Sequence, residues 1–151
     1  MGGDVKDSLY QHFSVSLSLP LPAVEWLLAV WDAIQVLDDV ADKDEIARED
    51  LDSAIFSLLV GLPSNSFFIA HSAQLLTALA QMVLKWKASD DAEREGKADA
   101  KSYMWRAGFY DVVLLVVLLC HGPKATLAAA KHVMALYGET YEEYCKEFSH
   151  A

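Results

Sequence analysis

The feature that most constrains this fold is the helical spacing of its apolar residues, which few breakers interrupt. After Pro22, and as far as about Asp44, apolar positions recur every three or four residues without a glycine or proline. This period is that of an amphipathic helix, and a proline suits the first turn of a helix. Similar segments stop at Gly61 and at Gly122, each of which is closely followed by a proline. The pattern predicts an all-α protein.

The breakers divide the chain into about five predicted helices joined by short turns, at about residues 22–44, 51–61, 67–88, 97–121 and 124–151. No repeat or linker-like segment separates them, and a chain of about 150 residues has the usual length of one domain. We therefore expect residues 1–151 to form a single domain, with a helical bundle over residues 20–151.

Residues 1–19 follow a different pattern. Phe13, Val15, Leu17 and Leu19 alternate with polar residues. A two-residue period is typical of a strand, so the sequence predicts a short irregular or extended N-terminal arm.

Charge and composition exclude several classes of protein. Twelve Lys and Arg stand against 22 Asp and Glu, which gives a net charge of −10. Nucleic-acid binding needs clustered basic residues, so it is not expected. The longest apolar run, Val112 to Cys120, has about half the roughly 20 residues of a membrane span, so none is expected. The acidic balance suits cations, basic partners or solubility.

The cysteines and the start of the chain bear on its compartment. Cys120 and Cys145 are far apart and form no metal-binding spacing, and the polar start of the chain lacks the pattern of a secretory signal. These features predict a cytoplasmic protein. A hydrophobic content of 54% and four tryptophans also favour a homodimer.

Acidic side chains cluster along the first predicted helix. At 100° per residue, the carboxylates of Asp32, Asp38, Asp39 and Asp42 share one face with the amide of Gln35. Like charges one turn apart destabilise a helix, and a hard cation such as Mg²⁺ would compensate them. The alternative is a solvated polar face. Apolar residues upstream on the same face favour a cleft.

The segment Gln35 to Asp42 fits the pattern Q-x-x-D-D-x-x-D. In this it resembles the second aspartate-rich motif of trans-prenyl diphosphate synthases, which are all-α enzymes that bind diphosphates through Mg²⁺. The resemblance implies that Asp38, Asp39 and Asp42 hold metal and that Gln35 lines the cavity. The chain is also similar to small helical proteins of bacteria and phages that contain W-D-x-x-Q-x-x-D-D, whose activity is not assigned.

Residues of the fourth predicted helix are candidates to complete such a site. Asp111 precedes the long apolar run, where burying a charge without a partner is costly. We expect it to join the metal ligands, the alternative being an ion pair or hydrogen bond inside the bundle. Lys101 and Arg106 are the candidate phosphate contacts, and the alternative for the lysine is a surface position.

Two functions follow from these features. The first is a Mg²⁺-dependent, diphosphate-binding helical protein that acts on a prenyl or nucleoside diphosphate, with the metal neutralising the leaving group. The second is a non-catalytic acidic interaction module, such as a small phage or bacterial accessory protein, in homodimeric form. The convergence of the carboxylates of Asp38, Asp42 and Asp111 on one pocket would favour the first.

Overall fold

The computed structural model describes residues 2–148, and every regular element in that range is helical, as the sequence predicts. The helices are α1 (Gly2–Gln11), α2 (Leu21–Ala41), α3 (Arg48–Phe56), α4 (Leu62–Ser64), α5 (Ser66–Ala70), α6 (Ser72–Arg94), α7 (Ala100–Trp105), α8 (Phe109–Ala135) and α9 (Tyr141–Phe148), with π-helical segments at His12–Ser16 and Ser57–Gly61. Within residues 2–148 there are thus more helices than the five predicted. Met1, from the predicted arm, and residues 149–151, from the predicted fifth helix, lie outside the described range.

Local backbone geometry explains why the helix boundaries differ from those predicted. The predicted third helix is divided at His71, whose φ and ψ of −129° and 25° are not helical. The predicted fourth helix is divided after Trp105 and resumes at Phe109. Its second part then continues as α8 past Gly122, where φ is 81° and ψ is 175°. A glycine adopts this conformation without a steric cost, so the chain kinks there and regains the helix.

The chain forms two compact units, Met1–Ser72 and Ala73–Ala151. Each unit has buried residues of its own, and the two are described separately below. The single domain expected from the chain length stays a prediction.

In the first unit, residues 2–16 are helical, so the predicted irregular or extended arm is wrong over that range. Leu9, Phe13 and Leu17 are buried and lie four residues apart, and Leu19, after the helical segment ends, is buried too, whereas Val15 is 66% exposed. A spacing of four places side chains on one face of a helix. The alternation of apolar residues from Phe13 to Leu19 therefore resembled a strand, although Leu9, Phe13 and Leu17 are buried at the helical period.

Helix α2 is the main element of the first unit. It buries Val24, Trp26 and Leu27 almost completely and is bounded by Pro20 at its N-terminal cap. Asn65 links it to α5, because its side-chain oxygen accepts a 3.0 Å bond from Phe68 N and its amide donates to Pro22 O at 3.0 Å. These contacts fix the start of α2 and leave the polar face of its second half available for the candidate site.

In the second unit, α8 buries one face of its first half. Val112, Val113, Val116 and Val117 are at most 1% exposed. Helix α7 begins with a capping box, in which Asp99 Oδ1 accepts bonds from the backbone of Lys101 and Ser102, and Ser102 Oγ accepts one from Asp99 N. Such caps satisfy the free N–H groups of a helix start. They fix the position from which Lys101 and Arg106 project.

One helix within residues 2–148, α8, is long and apolar enough to cross a membrane by length and composition, with a mean hydropathy of 1.9 over its most apolar window. A mostly buried core helix of a soluble protein passes the same test, and 22% of this window of α8 is buried. The composition of α8 is therefore weak evidence for a span.

Candidate functional site

A groove in the first unit is lined by the polar face of α2 and a facing side of α3. Its cavity has a volume of about 680 Å³. Helix α2 contributes side chains at positions 32, 35, 36 and 39, and the segment from α3 into the following π-helical turn contributes positions 50, 53, 54 and 57. Both sets follow the i, i+3, i+4, i+7 spacing of a single helix face. Two helix faces therefore meet along this groove, and Lys6, Trp31 and Ala33 complete its lining. We call it the acidic groove.

The charge of the acidic groove comes from three carboxylates and one ammonium group. Asp32, Asp39 and Asp50 line it, and Lys6 Nζ lies 2.5 Å from Asp32 Oδ2. The Lys6–Asp32 pair is about half exposed, so it contributes little stability. Within residues 2–148, no lysine or arginine forms an ion pair with Asp39 or Asp50. The groove therefore has a net negative charge.

The groove includes part of the motif that the sequence singled out. Gln35 and Asp39 line the cavity, whereas Asp38 and Asp42 do not. Across residues 2–148, no group of three His, Cys, Asp or Glu side chains is arranged to hold a metal ion. Magnesium binding by Asp38, Asp39 and Asp42 accordingly stays a prediction.

The other predicted site residues, Lys101, Arg106 and Asp111, belong to the second unit. Asp111 Oδ2 accepts a 2.7 Å bond from Lys85 Nζ, and its side chain is 60% exposed. This is an ion pair between α6 and α8 at the surface. A metal-binding role for Asp111 was predicted because an unpaired charge is costly to bury. In the structure Asp111 is exposed and paired with Lys85, so that reason for the prediction does not apply.

Lys101 lines a small cavity of about 270 Å³ with Lys97, Ser102 and Trp105. Lys97 and Lys101 thus share one concavity. The carboxylate of Asp99 lines the same cavity, although it accepts backbone hydrogen bonds as the α7 cap. Contact of Lys101 with phosphate stays a prediction.

Arg106 lies at the centre of a cluster of acidic and aromatic side chains in the second unit. Its Nη1 atom lies 3.5 Å from Glu93 Oε2, 3.7 Å from Glu139 Oε1 and 4.0 Å from Glu147 Oε2. Its guanidinium also lies over the ring of Tyr144, at 5.1 Å, and that of Phe148, at 5.4 Å. Nη1 is nevertheless buried without a hydrogen-bond partner among the described residues, so the three glutamates attract the guanidinium by charge alone. Contact of Arg106 with phosphate stays a prediction, and these three carboxylates would compete with it.

Hydrogen bonds extend this cluster through its tyrosines. Tyr144 OH donates to Glu93 Oε2 at 2.9 Å and shares a 2.6 Å bond with Ser102 Oγ. Tyr103 OH donates to the backbone oxygen of Glu139 at 2.5 Å. Burial raises the pKa of both Glu93 and Glu139, and it raises the pKa of Tyr144 to about 12. The cluster is a partly buried network with more carboxylates than cations.

The sequence contained signals for the residues that our prediction missed. Asp50, Ser53 and Ser57 are polar residues at helical spacing, which is the same signal that identified the face of α2. Lys6 had no such signal, because only the packing of α1 beside α2 brings it to Asp32. Glu93 and Glu139 are 46 positions apart, and no local pattern connects them with Arg106.

Comparisons with known proteins give no relative for this chain: no protein-family model and no curated protein matches the sequence, and no solved structure matches the fold.

Proposed function

We propose that this chain is a non-catalytic interaction protein that binds a positively charged segment of a partner in the acidic groove. The observation that carries the proposal is the lining of the groove. It combines three carboxylates with a single lysine that is already paired with Asp32.

The carboxylates of Asp39 and Asp50 are the groups that would recognise the partner. Each projects from one of the two helices that line the groove, so a lysine or arginine side chain placed between them would meet acidic groups from both sides. Complementary charges of this kind increase the association rate and select against acidic competitors.

Two uncharged residues add to this recognition. Trp31, which lines the cavity, offers an aromatic ring to a cation, and Gln35 offers both a hydrogen-bond donor and an acceptor. A groove of about 680 Å³ is large enough for one or two long side chains of a bound segment.

Fluorescence anisotropy with a labelled peptide of lysine and serine tests the proposal. We expect the full chain to bind this peptide at low salt and to lose affinity as NaCl rises to about 200 mM, because salt screens exposed charges. The double variant Asp39→Asn/Asp50→Asn should weaken binding about tenfold, which corresponds to ~1.4 kcal/mol.

A matched control distinguishes the groove from general charge. Asp44→Asn/Glu45→Gln removes two charges from an exposed turn of the same unit that lies outside the cavity lining. This control should bind like the wild type. Equal loss in both double variants, or no binding by the wild type at low salt, would reject the proposal.

A second candidate is the Mg²⁺-dependent binding of a diphosphate, a function predicted from the sequence motif. The presence of Gln35 and Asp39 in one cavity supports it, because both offer the oxygen ligands that Mg²⁺ prefers. Against it, the described part of the chain does not bring three acidic, histidine or cysteine side chains together around one position for a metal.

Calorimetric titration with Mg²⁺ or Mn²⁺ and pyrophosphate separates the two candidates. If the second is right, the wild type gives a saturable heat with metal and pyrophosphate together, and Gln35→Ala/Asp39→Ala loses it. Equal or absent heats in both proteins would exclude it. If the wild type does give this heat, prenyl and nucleoside diphosphates are the substrate class to test next.

The homodimer predicted from the apolar content also remains a proposal. Exposed apolar side chains on the second half of α8, Leu127 at 81% and Met134 at 71%, support it. Light scattering of the wild type and of Leu127→Ser/Met134→Ser tests it. A dimeric mass that only the double variant loses would agree with it, and a monomeric wild type would not.

A further inference from the structure

A run of exposed apolar side chains lies next to the acidic groove. Ile55, Phe56, Leu58, Leu59 and Val60 come from the end of α3 and the π-helical turn that follows it, and we call them the apolar ridge. Phe56 is 64% exposed and Leu59 is 73% exposed. Single exposed apolar residues are common on soluble proteins, but contiguous patches mark interaction sites.

The packing of α3 does not account for the apolar ridge. The side chain that this helix buries is the small Ala54, whereas the larger side chains after it are left outside. Packing within the first unit does not require apolar side chains at these exposed positions, where polar side chains would fit equally well. The ridge therefore has the composition of a surface that another molecule covers.

Phe56 joins the apolar ridge to the acidic groove. Phe56 lines a second cavity, of about 410 Å³, together with Asp52, Ser53, Ser57 and Gly61. Ser53 and Ser57 also line the acidic groove. A ligand that covers these two serines would thus contact carboxylates on one side and apolar side chains on the other.

The charges around this surface select its occupant. Asp39 and Asp50 lie on the groove side, and the whole chain has a net charge of −10. A second copy seated on the same surface would bring identical carboxylates together, and like charges at an interface cost affinity. A partner with basic and apolar residues on adjacent faces matches both sides of the surface.

We propose that the partner segment is a basic amphipathic helix whose apolar side chains pack on the apolar ridge while its lysines or arginines enter the acidic groove. The inference rests on the proposed function and specifies the partner that the groove accepts. Binding of an amphipathic helix along a hydrophobic surface is a common mode of peptide recognition, with anchor residues at helical spacing. Phe56 and Leu59 are the expected contacts for those anchors.

Three labelled peptides test the inference by fluorescence anisotropy with the full chain. The first contains leucine and lysine at helical spacing, the second has the same composition in scrambled order, and the third contains only lysine and serine. We expect the first to bind at least about tenfold more tightly than the second, because only it presents one apolar face. Circular dichroism should show that it gains helix on binding.

Variants of the ridge separate this inference from the proposed function. Phe56→Ser/Leu59→Ser should lose about tenfold in affinity for the amphipathic peptide and keep its affinity for the lysine–serine peptide. Val15→Ser is the matched control, since Val15 is exposed to a similar degree in the same unit and should leave both affinities unchanged. Far-ultraviolet circular dichroism checks that all variants are folded.

Three other results of these experiments would overturn the inference. Equal affinity for the amphipathic and scrambled peptides would overturn the inference and leave the proposed function intact. Failure of all three peptides to bind would reject both. A dimer of the free protein that Phe56→Ser/Leu59→Ser dissociates would overturn the inference by assigning the ridge to a second copy.

Discussion

The guanidinium of Arg106 lies 5.1 Å from the ring centre of Tyr144, and this contact joins the end of α7 to α9. The same guanidinium reaches Glu93 on α6 at 3.5 Å. One side chain thus connects three helices of the second unit. Because α9 is only eight residues long, its position depends on contacts of this kind more than on its own helix propensity.

We predict that Arg106→Met destabilises the second unit by about 2–3 kcal/mol. The substitution keeps most of the apolar stem but leaves Glu93 and Glu139 without their cation, and their side chains are only 11% and 27% exposed. An acidic group left unpaired in such a place is costly. Urea unfolding followed by circular dichroism measures the change.

Arg94→Met is the control for this prediction. Arg94 pairs with Asp90 and Asp91, but its side chain is 64% exposed, so its loss should cost less than about 1 kcal/mol. Similar effects of the two substitutions would contradict the role assigned to Arg106.

We predict that the protein loses stability in alkaline solution because the hydroxyl of Tyr144 is buried. Its pKa is raised by burial to about 12, whereas the unfolded chain has the ordinary value of 10. Between pH 10 and pH 12 the unfolded chain releases this proton and the folded chain keeps it. Stability is therefore intact below pH 10 and falls as the pH rises towards 12, by up to ~1.4 kcal/mol per pH unit for one proton.

The free energy of unfolding, measured in urea at several pH values above 9, checks this sign. Tyr144→Phe removes the hydroxyl and should make the decline shallower, although burial also raises the pKa of Tyr103 and Tyr137, so a slope remains. A steeper decline in Tyr144→Phe than in the wild type would be inconsistent with this account.

The helical N-terminus gives a prediction that distinguishes it from an extended arm. Phe13 is fully buried and Val15 is mostly exposed, whereas a strand would place both side chains on the same face. Phe13→Ala should cost about 3 kcal/mol, the usual effect of emptying an aromatic site in a core. Val15→Ala should change the stability by less than about 0.5 kcal/mol. Large and equal effects, measured by thermal or urea unfolding, would support the strand.

These residues also show how far the sequence determines the fold. The helical character of α2 follows from its apolar period alone, and its observed range, Leu21–Ala41, agrees with the pattern. The N-terminal segment was mistaken because four alternating positions fit a strand, and only the burial of Leu9, Phe13 and Leu17 reveals the period of four. Local pattern identifies long helices well and short ambiguous segments poorly.

The candidate site was predicted only in part, and for a physical reason. A helix face is a local property, so the sequence could place Gln35 and Asp39 on one side of α2. The opposite wall of the groove comes from Asp50 and Ser53, and their approach to α2 is a tertiary contact that periodicity does not encode. The grouping of Arg106 with Glu93 depends on packing in the same way.

Helices α6 and α8 approach each other closely where Gly108, at the start of α8, meets Met82 on α6. A Cβ atom added at Gly108 would lie 3.1 Å from Met82 Cγ and 3.2 Å from Met82 Cα. The Met82 side chain can move, but its backbone cannot move without displacing α6, so Gly108→Ala should cost about 1–3 kcal/mol. Gly138→Ala is the matched control, because an added Cβ there meets no atom within 4 Å. The urea midpoint of unfolding should fall in Gly108→Ala and stay at the wild-type value in Gly138→Ala. An unchanged midpoint for Gly108→Ala would mean that the two helices are not packed this closely.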